Sequence, residues 1–168
     1  MIHQDSNVFI NDDQVIVLKA EPILSDKRTN RIVCTAGLVD NKNVVALEIS
    51  TPEDKSVFTY LDAKGAADFA KQVLDASLKS TLCEEFDRHR VETLYLKKEV
   101  ITIERCDVSR IKGSSSYGVS VSIHKASFPV KDKRVVSCEL SPKKAVDLVG
   151  MIQQAIEAIE EDTLAEHR

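Results

Sequence analysis

LSPKKAVDL, Leu140 to Leu148, repeats the grammar of an earlier stretch, LDAKGAADF, Leu61 to Phe69. Each reads leucine, a short polar residue, lysine, alanine, aspartate and an apolar residue, in that order. Ser141 followed by Pro142 is a helix start: the hydroxyl accepts from an orphan N–H of the first turn, and proline lacks an N–H that the first turn leaves unbonded anyway. Asp62 supplies the equivalent cap. Apolar residues then recur at helical spacing, Ala66, Phe69, Ala70, Val73 and Leu74 after the first phrase and Ala145, Leu148, Val149, Ile152, Ile156 and Ile159 after the second. Both phrases are strand-to-helix corners, and a corner written twice implies a fold built twice.

The likeness extends in both directions. A separation of 79 residues pairs Val57, Thr59 and Leu61 with Val136, Cys138 and Leu140, and carries on to Lys64 with Lys143, Asp68 with Asp147 and Ala76 with Ala155. Further upstream, a separation of 85 pairs Val15-Ile16-Val17-Leu18 with Val100-Ile101-Thr102-Ile103, and Ile32, Cys34, Ala36 and Leu38 with Tyr117, Val119, Val121 and Ile123. The six extra residues of the first copy fall in Asn43 to Ser50, a full strand; the second copy has Ala126-Ser127-Phe128-Pro129-Val130 there, a shortened one. The fold class expected is α+β: two pseudo-symmetric repeats, each an antiparallel sheet of three or four strands followed by a helix on one face.

The repeats are placed at about 8–80 and 93–162 of a single domain spanning 1–168. Thr81 and Glu84 form a capping box, so a short helical connector is expected over 81–90. Strand alternation assigns Ile16, Leu18, Ile32, Cys34, Leu38, Val45, Leu47 and Ile49 to one face, with Ile101, Ile103, Tyr117, Val119, Val121, Ile123, Val136 and Leu140 as the counterparts. The opposite face of the second copy, Gly118, Ser120, Ser122 and His124, is small and polar. That of the first, Val15, Val17, Val33, Val44, Phe58 and Tyr60, is apolar.

Composition is that of an ordinary globular chain, 43% hydrophobic and 30% charged over 168 residues. Neither a membrane-length apolar run nor a signal peptide is apparent, so a cytoplasmic location is expected. Cys34, Cys83, Cys106 and Cys138 stand far apart, which argues for reduced, buried thiols over zinc or disulfides, with Cys83 the one to test for reactivity. No G-x-S-x-G, H-E-x-x-H or P-loop signature occurs, no catalytic constellation is marked out, and no cofactor or metal is expected. Lys112-Gly113-Ser114-Ser115-Ser116-Tyr117-Gly118 joins two strands and opens no helix, so it is a hairpin loop rather than a phosphate cradle. His3, His89, His124 and His167 are isolated; His124 lies on a polar strand face without an evident nucleophile. Asp12-Asp13, with Asn7 and Asn11, fits turn chemistry better than calcium.

Charge is distributed in blocks. Met1 to Asp87 holds 9 Lys/Arg against 15 Asp/Glu, Arg88 to Lys144 holds 13 against 6, and Ala145 to Arg168 holds 1 against 6. Within the basic centre, Lys97, Lys98, Arg105, Arg110, Lys112, Lys125, Lys131, Lys133 and Arg134 fall mainly at strand ends and loops of the second sheet, beside Tyr117 and Phe128. Cations that neutralise phosphates, with rings on which bases stack, are what a single-strand binder needs. A solvated, charged loop set paired with the acidic helix is the bland alternative.

Two copies of a multi-stranded antiparallel sheet followed by a helix, packed as one pseudo-symmetric unit, resemble the PUR-repeat and Whirly families over nearly the whole chain. The resemblance is one of element order, and it implies binding of single-stranded DNA or RNA on the sheets. The expected function is therefore a non-enzymatic binding module for single-stranded nucleic acid or another polyanion. The competing expectation is a protein-interaction or assembly role as a homo-oligomer, with Val15, Val17, Val33, Phe58 and Tyr60 as the interface.

Overall fold

The computed structural model describes residues 8–10, 16–25, 29–53, 55–94, 101–112, 117–128 and 132–168. Six strands precede the first helix: β1 (Val8–Ile10), β2 (Ile16–Leu18), β3 (Ile23–Leu24), β4 (Arg31–Val39), β5 (Lys42–Ser50) and β6 (Ser56–Leu61), then α1 (Ala63–Thr81). The second half runs β7 (His89–Val91), β8 (Ile101–Lys112), β9 (Tyr117–Phe128), β10 (Asp132–Leu140) and α2 (Pro142–Glu160). The first sheet has the order β1-β2-β4-β5-β6 with β3 also paired to β4; the second has the order β10-β9-β8-β7. Every pairing is antiparallel. The class is α+β, as the doubled corner requires.

The corners form as their residues dictate. Asp62 accepts from the Gly65 N–H at 2.7 Å, and Ser141, with Pro142 at the first helical position, accepts from the Lys144 N–H at 3.4 Å. Each helix is 19 residues long, and both their starts and their ends lie 79 residues apart. Between β4 and β5, Asp40 and Asn41 adopt φ of 49° and 62°, the left-handed pair that a two-residue hairpin turn demands and that Asx side chains tolerate.

The strands correct the upstream register. Ile49 faces Val57 as Ile123 faces Val136, and Ile32 faces Ile49 as Cys106 faces Ile123. Ile32 therefore corresponds to Cys106, a separation of 74 residues, and not to Tyr117. On this register Val45, Leu47 and Ile49 match Val119, Val121 and Ile123, and all six are buried. Of the expected short third strand over Ala126–Val130, Ala126 to Phe128 are instead the end of the continuous β9, paired residue by residue with β8 as far as Ile101, and Pro129 and Val130 lie outside the described residues. The fourth strand of the second half is β7, which pairs with β8 as β3 pairs with β4.

That strand lies where a helical connector was expected over 81–90. α1 ends at Thr81, Cys83 turns through a left-handed φ of 56°, and no helix follows before β7. The Thr81 hydroxyl donates to the Ser77 carbonyl of its own helix, so it closes a last turn and does not cap a new one.

The helices are exchanged between the sheets. α1 lies mainly over β8 and β9 of the second half, α2 over β4 and β5 of the first, and the two pack against each other. One apolar core results, drawing Ile32, Leu47 and Ile49 from the first sheet, Cys106, Val121 and Ile123 from the second, and Phe69, Val73, Leu148 and Ile152 from the helices. Polar stitches cross between halves: the Ser80 hydroxyl donates to the Gly118 carbonyl at 3.1 Å, the Asn30 amide to the Ser137 carbonyl at 2.6 Å, and the Lys144 ammonium to the Leu24 carbonyl at 2.9 Å. A Cβ on Gly118 would stand 2.6 Å from the Leu140 carbonyl oxygen, so glycine is needed where β9 passes β10.

Cys34, Cys106 and Cys138 are buried thiols outside any disulfide, and Cys83 is exposed. Burial pushes the Cys34 and Cys106 thiols well up, reinforced at Cys34 by neighbouring Cys106 and at Cys106 by Asp107. No helix among the described residues is long and apolar enough to cross a membrane.

Candidate functional site: the outer face of the second sheet

Alternation turns one face of β8, β9 and β10 to the helices and leaves Arg105, Asp107, Ser109, Ser120, Ser122, His124, Ser137 and Glu139 on the other. One row across the sheet reads Arg90, Asp107, Ser122, Ser137, all in direct register. The Ser122 and Ser137 hydroxyls are 2.7 Å apart and bonded to one another.

Asp107 is the centre of this face. It is only 3% exposed. Arg105 Nε lies 3.0 Å, His124 Nε2 3.3 Å and Arg88 Nη1 3.8 Å from its Oδ2. Neither carboxylate oxygen nor Arg105 Nε completes a hydrogen bond, since the N–H is not aimed at the oxygen despite the short separation. The carboxylate is held by charge and not by directed donors, an arrangement that fixes several arginines around one anion.

Two guanidinium groups, those of Arg105 and Arg88, lie within 4 Å of this carboxylate, and Arg90 is the register partner of Asp107 on the adjoining strand. Arg105 Nη2 stands 3.2 Å from Nδ1 and 3.3 Å from Nε2 of His124, so it lies over the ring or at its Cε1 edge instead of along one lone pair. Burial holds the His124 imidazole below its usual pKa, and the cations of Arg105, Arg88 and Arg90 add to this while Asp107 opposes it. The balance favours the neutral imidazole.

The basic residues singled out from sequence do not gather on one face. Arg105 joins the cluster just described. Arg110 stacks over Tyr117, its guanidinium carbon 3.4 Å from the ring centroid, on the helix-facing side, with Lys112 in register opposite Tyr117. Lys125 and Arg134 are also register partners on that side, at the far end of the strands, where the Lys125 ammonium donates to the Phe58 carbonyl at 3.4 Å. Lys97, Lys98 and Lys131 lie outside the described residues, as do Val15, His3, Asn7, Asn11, the Asp12-Asp13 pair and loop residues 113–116; of Lys133 only the strand backbone is described. Arg88, Arg90 and Asp107 were missed because they sit in a supposed connector or are the lone acid of a basic stretch. The period-two alternation of Arg105, Asp107 and Ser109 was the available signal.

The outer face of the first sheet is less open than its apolar letters suggest. The Leu94 N–H donates to the Tyr60 carbonyl at 2.8 Å, and Leu94 and Tyr60 pack on Val17, Val39, Val44 and Ala46. Val17 is thus buried within the chain, while Val33, Phe58 and Tyr60 are half-buried, the last two rings stacked at 6.5 Å. Exposed large apolar side chains stand along α1 and its C-cap, at Leu74, Leu78 and Leu82, one turn apart, and singly at Val135 and Val146.

Among the described residues no set of three or more histidine, cysteine or acidic side chains is grouped to hold a metal. No protein-family model matches the chain, and no curated protein matches it.

Proposed function

We propose that the chain is a binding module for a polyanion, with single-stranded nucleic acid as the ligand, and that the outer face of its second sheet is the contact surface. The observation that carries this reading is the approach of Arg88 and Arg105 to buried Asp107, with Arg90 its register partner, on a face that also carries Ser109, Ser120, Ser122 and Ser137 beside His124, Val135 and Glu139. Guanidinium groups suit phosphate because their donors form a planar fork, and the small hydroxyl side chains let a backbone approach the sheet closely. Asp107 keeps the arginines ordered before a ligand arrives, which lowers the entropic cost of engaging it.

The test is anisotropy of a labelled single-stranded oligonucleotide. Binding should weaken steeply with salt, with a log–log slope of about −2 for roughly three phosphate contacts on a single strand. Arg88→Glu with Arg90→Glu should abolish it, since both side chains are exposed and removable without disturbing the core. Absence of binding at low salt sinks the reading.

Self-association is the second reading, favoured by the leucine stripe on α1 and not by the Phe58–Tyr60 face. Light scattering separates the two: a mass above 18.7 kDa that returns to it in Leu78→Asp supports assembly.

A further inference from the structure

The two halves can be laid over each other residue by residue, and their outer faces then differ in one informative way. Arg31 corresponds to Arg105 and Ser50 to His124 by the 74-residue register, and Ser56 corresponds to Val135 by the 79-residue one. In the second half the row Arg105, His124, Val135 is filled: an imidazole sits against a guanidinium and reaches a carboxylate in the next row. In the first half the same row is Arg31, Ser50, Ser56, and two hydroxymethyl groups replace a ring and an isopropyl group. What remains is a cavity of about 320 Å³, lined by Arg31, Glu48, Ser50, Ser56, Thr29 and Thr51 among others. That is within the ~300–1,000 Å³ range of small-molecule sites.

Three polar side chains around this cavity, Arg31, Glu48 and Thr51, have no partner among the described residues. No ion pair joins Arg31 to Glu48, although they are diagonal neighbours on adjacent strands, and neither has an ion pair among the described residues. Glu48 takes the row that Asp107 occupies in the other half, and burial alone raises its carboxyl above the usual range. The Thr51 hydroxyl is buried and makes no hydrogen bond. The Arg31 guanidinium is exposed and hydrated, but a half-buried carboxyl and a buried hydroxyl left unsatisfied beside it cost stability unless something fills the space.

We infer that this cavity binds a single nucleobase, its ring lying against the Arg31 guanidinium and its N–H donors directed to Glu48. The second half supplies the template, since its own side chains place a planar nitrogen heterocycle between the corresponding cation and an acid. Guanine fits best, because its N1–H and N2–H present two adjacent donors to the two oxygens of one carboxylate. Choosing a nucleobase among such heterocycles rests on the polyanion reading, but the cavity is on the other sheet and can be tested without any oligonucleotide.

The experiment is calorimetric titration of the whole chain with guanosine, adenosine, cytidine and uridine. Guanosine should bind with a dissociation constant in the micromolar to millimolar range. Glu48→Gln should weaken it at least tenfold with the fold intact, because glutamine keeps the shape and loses the charge. The double change Ser50→His with Ser56→Val, which copies the second half into the first, should abolish binding and leave unfolding cooperative. Arg88→Glu with Arg90→Glu should leave guanosine binding unchanged, which separates this site from the surface on the second sheet. The inference is overturned if no nucleoside binds the unaltered chain, or if guanosine binds equally well once Ser50 and Ser56 are replaced.

Discussion

The Ser77 hydroxyl, in the last third of α1, donates to the backbone carbonyl of Pro142, the first residue of α2, at 2.9 Å. The bond ties the end of one half's helix to the start of the other's, at the layer where each helix has crossed to its partner's sheet. Ser77 is buried, so its hydroxyl has no water to fall back on, and the contact exists only when both halves are in place.

The exchange of helices predicts that neither half folds alone. A chain of residues 1–88 would leave the inner face of its sheet without α2, and a chain of residues 89–168 would leave its own without α1. Each should show no cooperative unfolding by circular dichroism, and mixing the two should restore it. Cooperative unfolding of either piece by itself would refute the interdependence.

Two glycines should respond in opposite directions. Gly118→Ala forces a Cβ to within 2.6 Å of a backbone oxygen and should cost about 1–3 kcal/mol. Gly150, inside α2, faces open space, so Gly150→Ala should stabilise by roughly 0.5–1 kcal/mol through helix propensity. Denaturant midpoints check both signs.

The caps offer a graded pair. Asp62→Ala removes a 2.7 Å bond from a charged oxygen, and Ser141→Ala removes a 3.4 Å bond from a neutral one. Losses of about 1 kcal/mol are expected at each, the greater at Asp62. Equal or reversed losses by urea unfolding would contradict the capping geometry.

His124 and Glu48 should tilt the stability profile in opposite directions with pH. His124 has its folded pKa below its unfolded one, so its contribution is complete above the ordinary imidazole value of about 6.5 and is lost as pH falls from there through the depressed folded value. His124→Gln should flatten that slope. Glu48 is raised, so its contribution is present below the ordinary carboxylate value and is lost as pH rises through the elevated one. Glu48→Gln should therefore be more stable than the unaltered chain at neutral pH, measured as melting temperature against pH.

Local chemistry was legible in the letters and tertiary choice was not. The caps at Asp62 and Ser141, the apolar stripes of both helices and the inward residues of β5 and β9 follow from hydrogen bonding and periodicity along the chain. Which sheet each stripe would cover does not, because Phe69 and Leu148 are equally apolar toward either. The register of β4 misled for a related reason: its alternation matches any half-buried strand, so a separation of 85 set it against β9, and only the hydrogen-bonded neighbours of Ile49 and Ile123 identify β8 as its counterpart. β7 is too short, at three residues, and too charged to stand out. The cluster at Asp107 needed the sheet to bring Arg88 and Arg90 beside it.

Helix exchange also orders the life of the chain during synthesis. The inner face of the first sheet, with Ile32, Leu47 and Ile49, is complete once Ser50 and the next strand have emerged, but its cover, α2, is about a hundred residues further on. At cellular translation rates that interval is roughly 5–20 s. A nascent sheet with an apolar face and no lid for that long is a substrate for holding chaperones and a hazard for aggregation, and slowing translation after α1 should lower the soluble yield more than slowing it before.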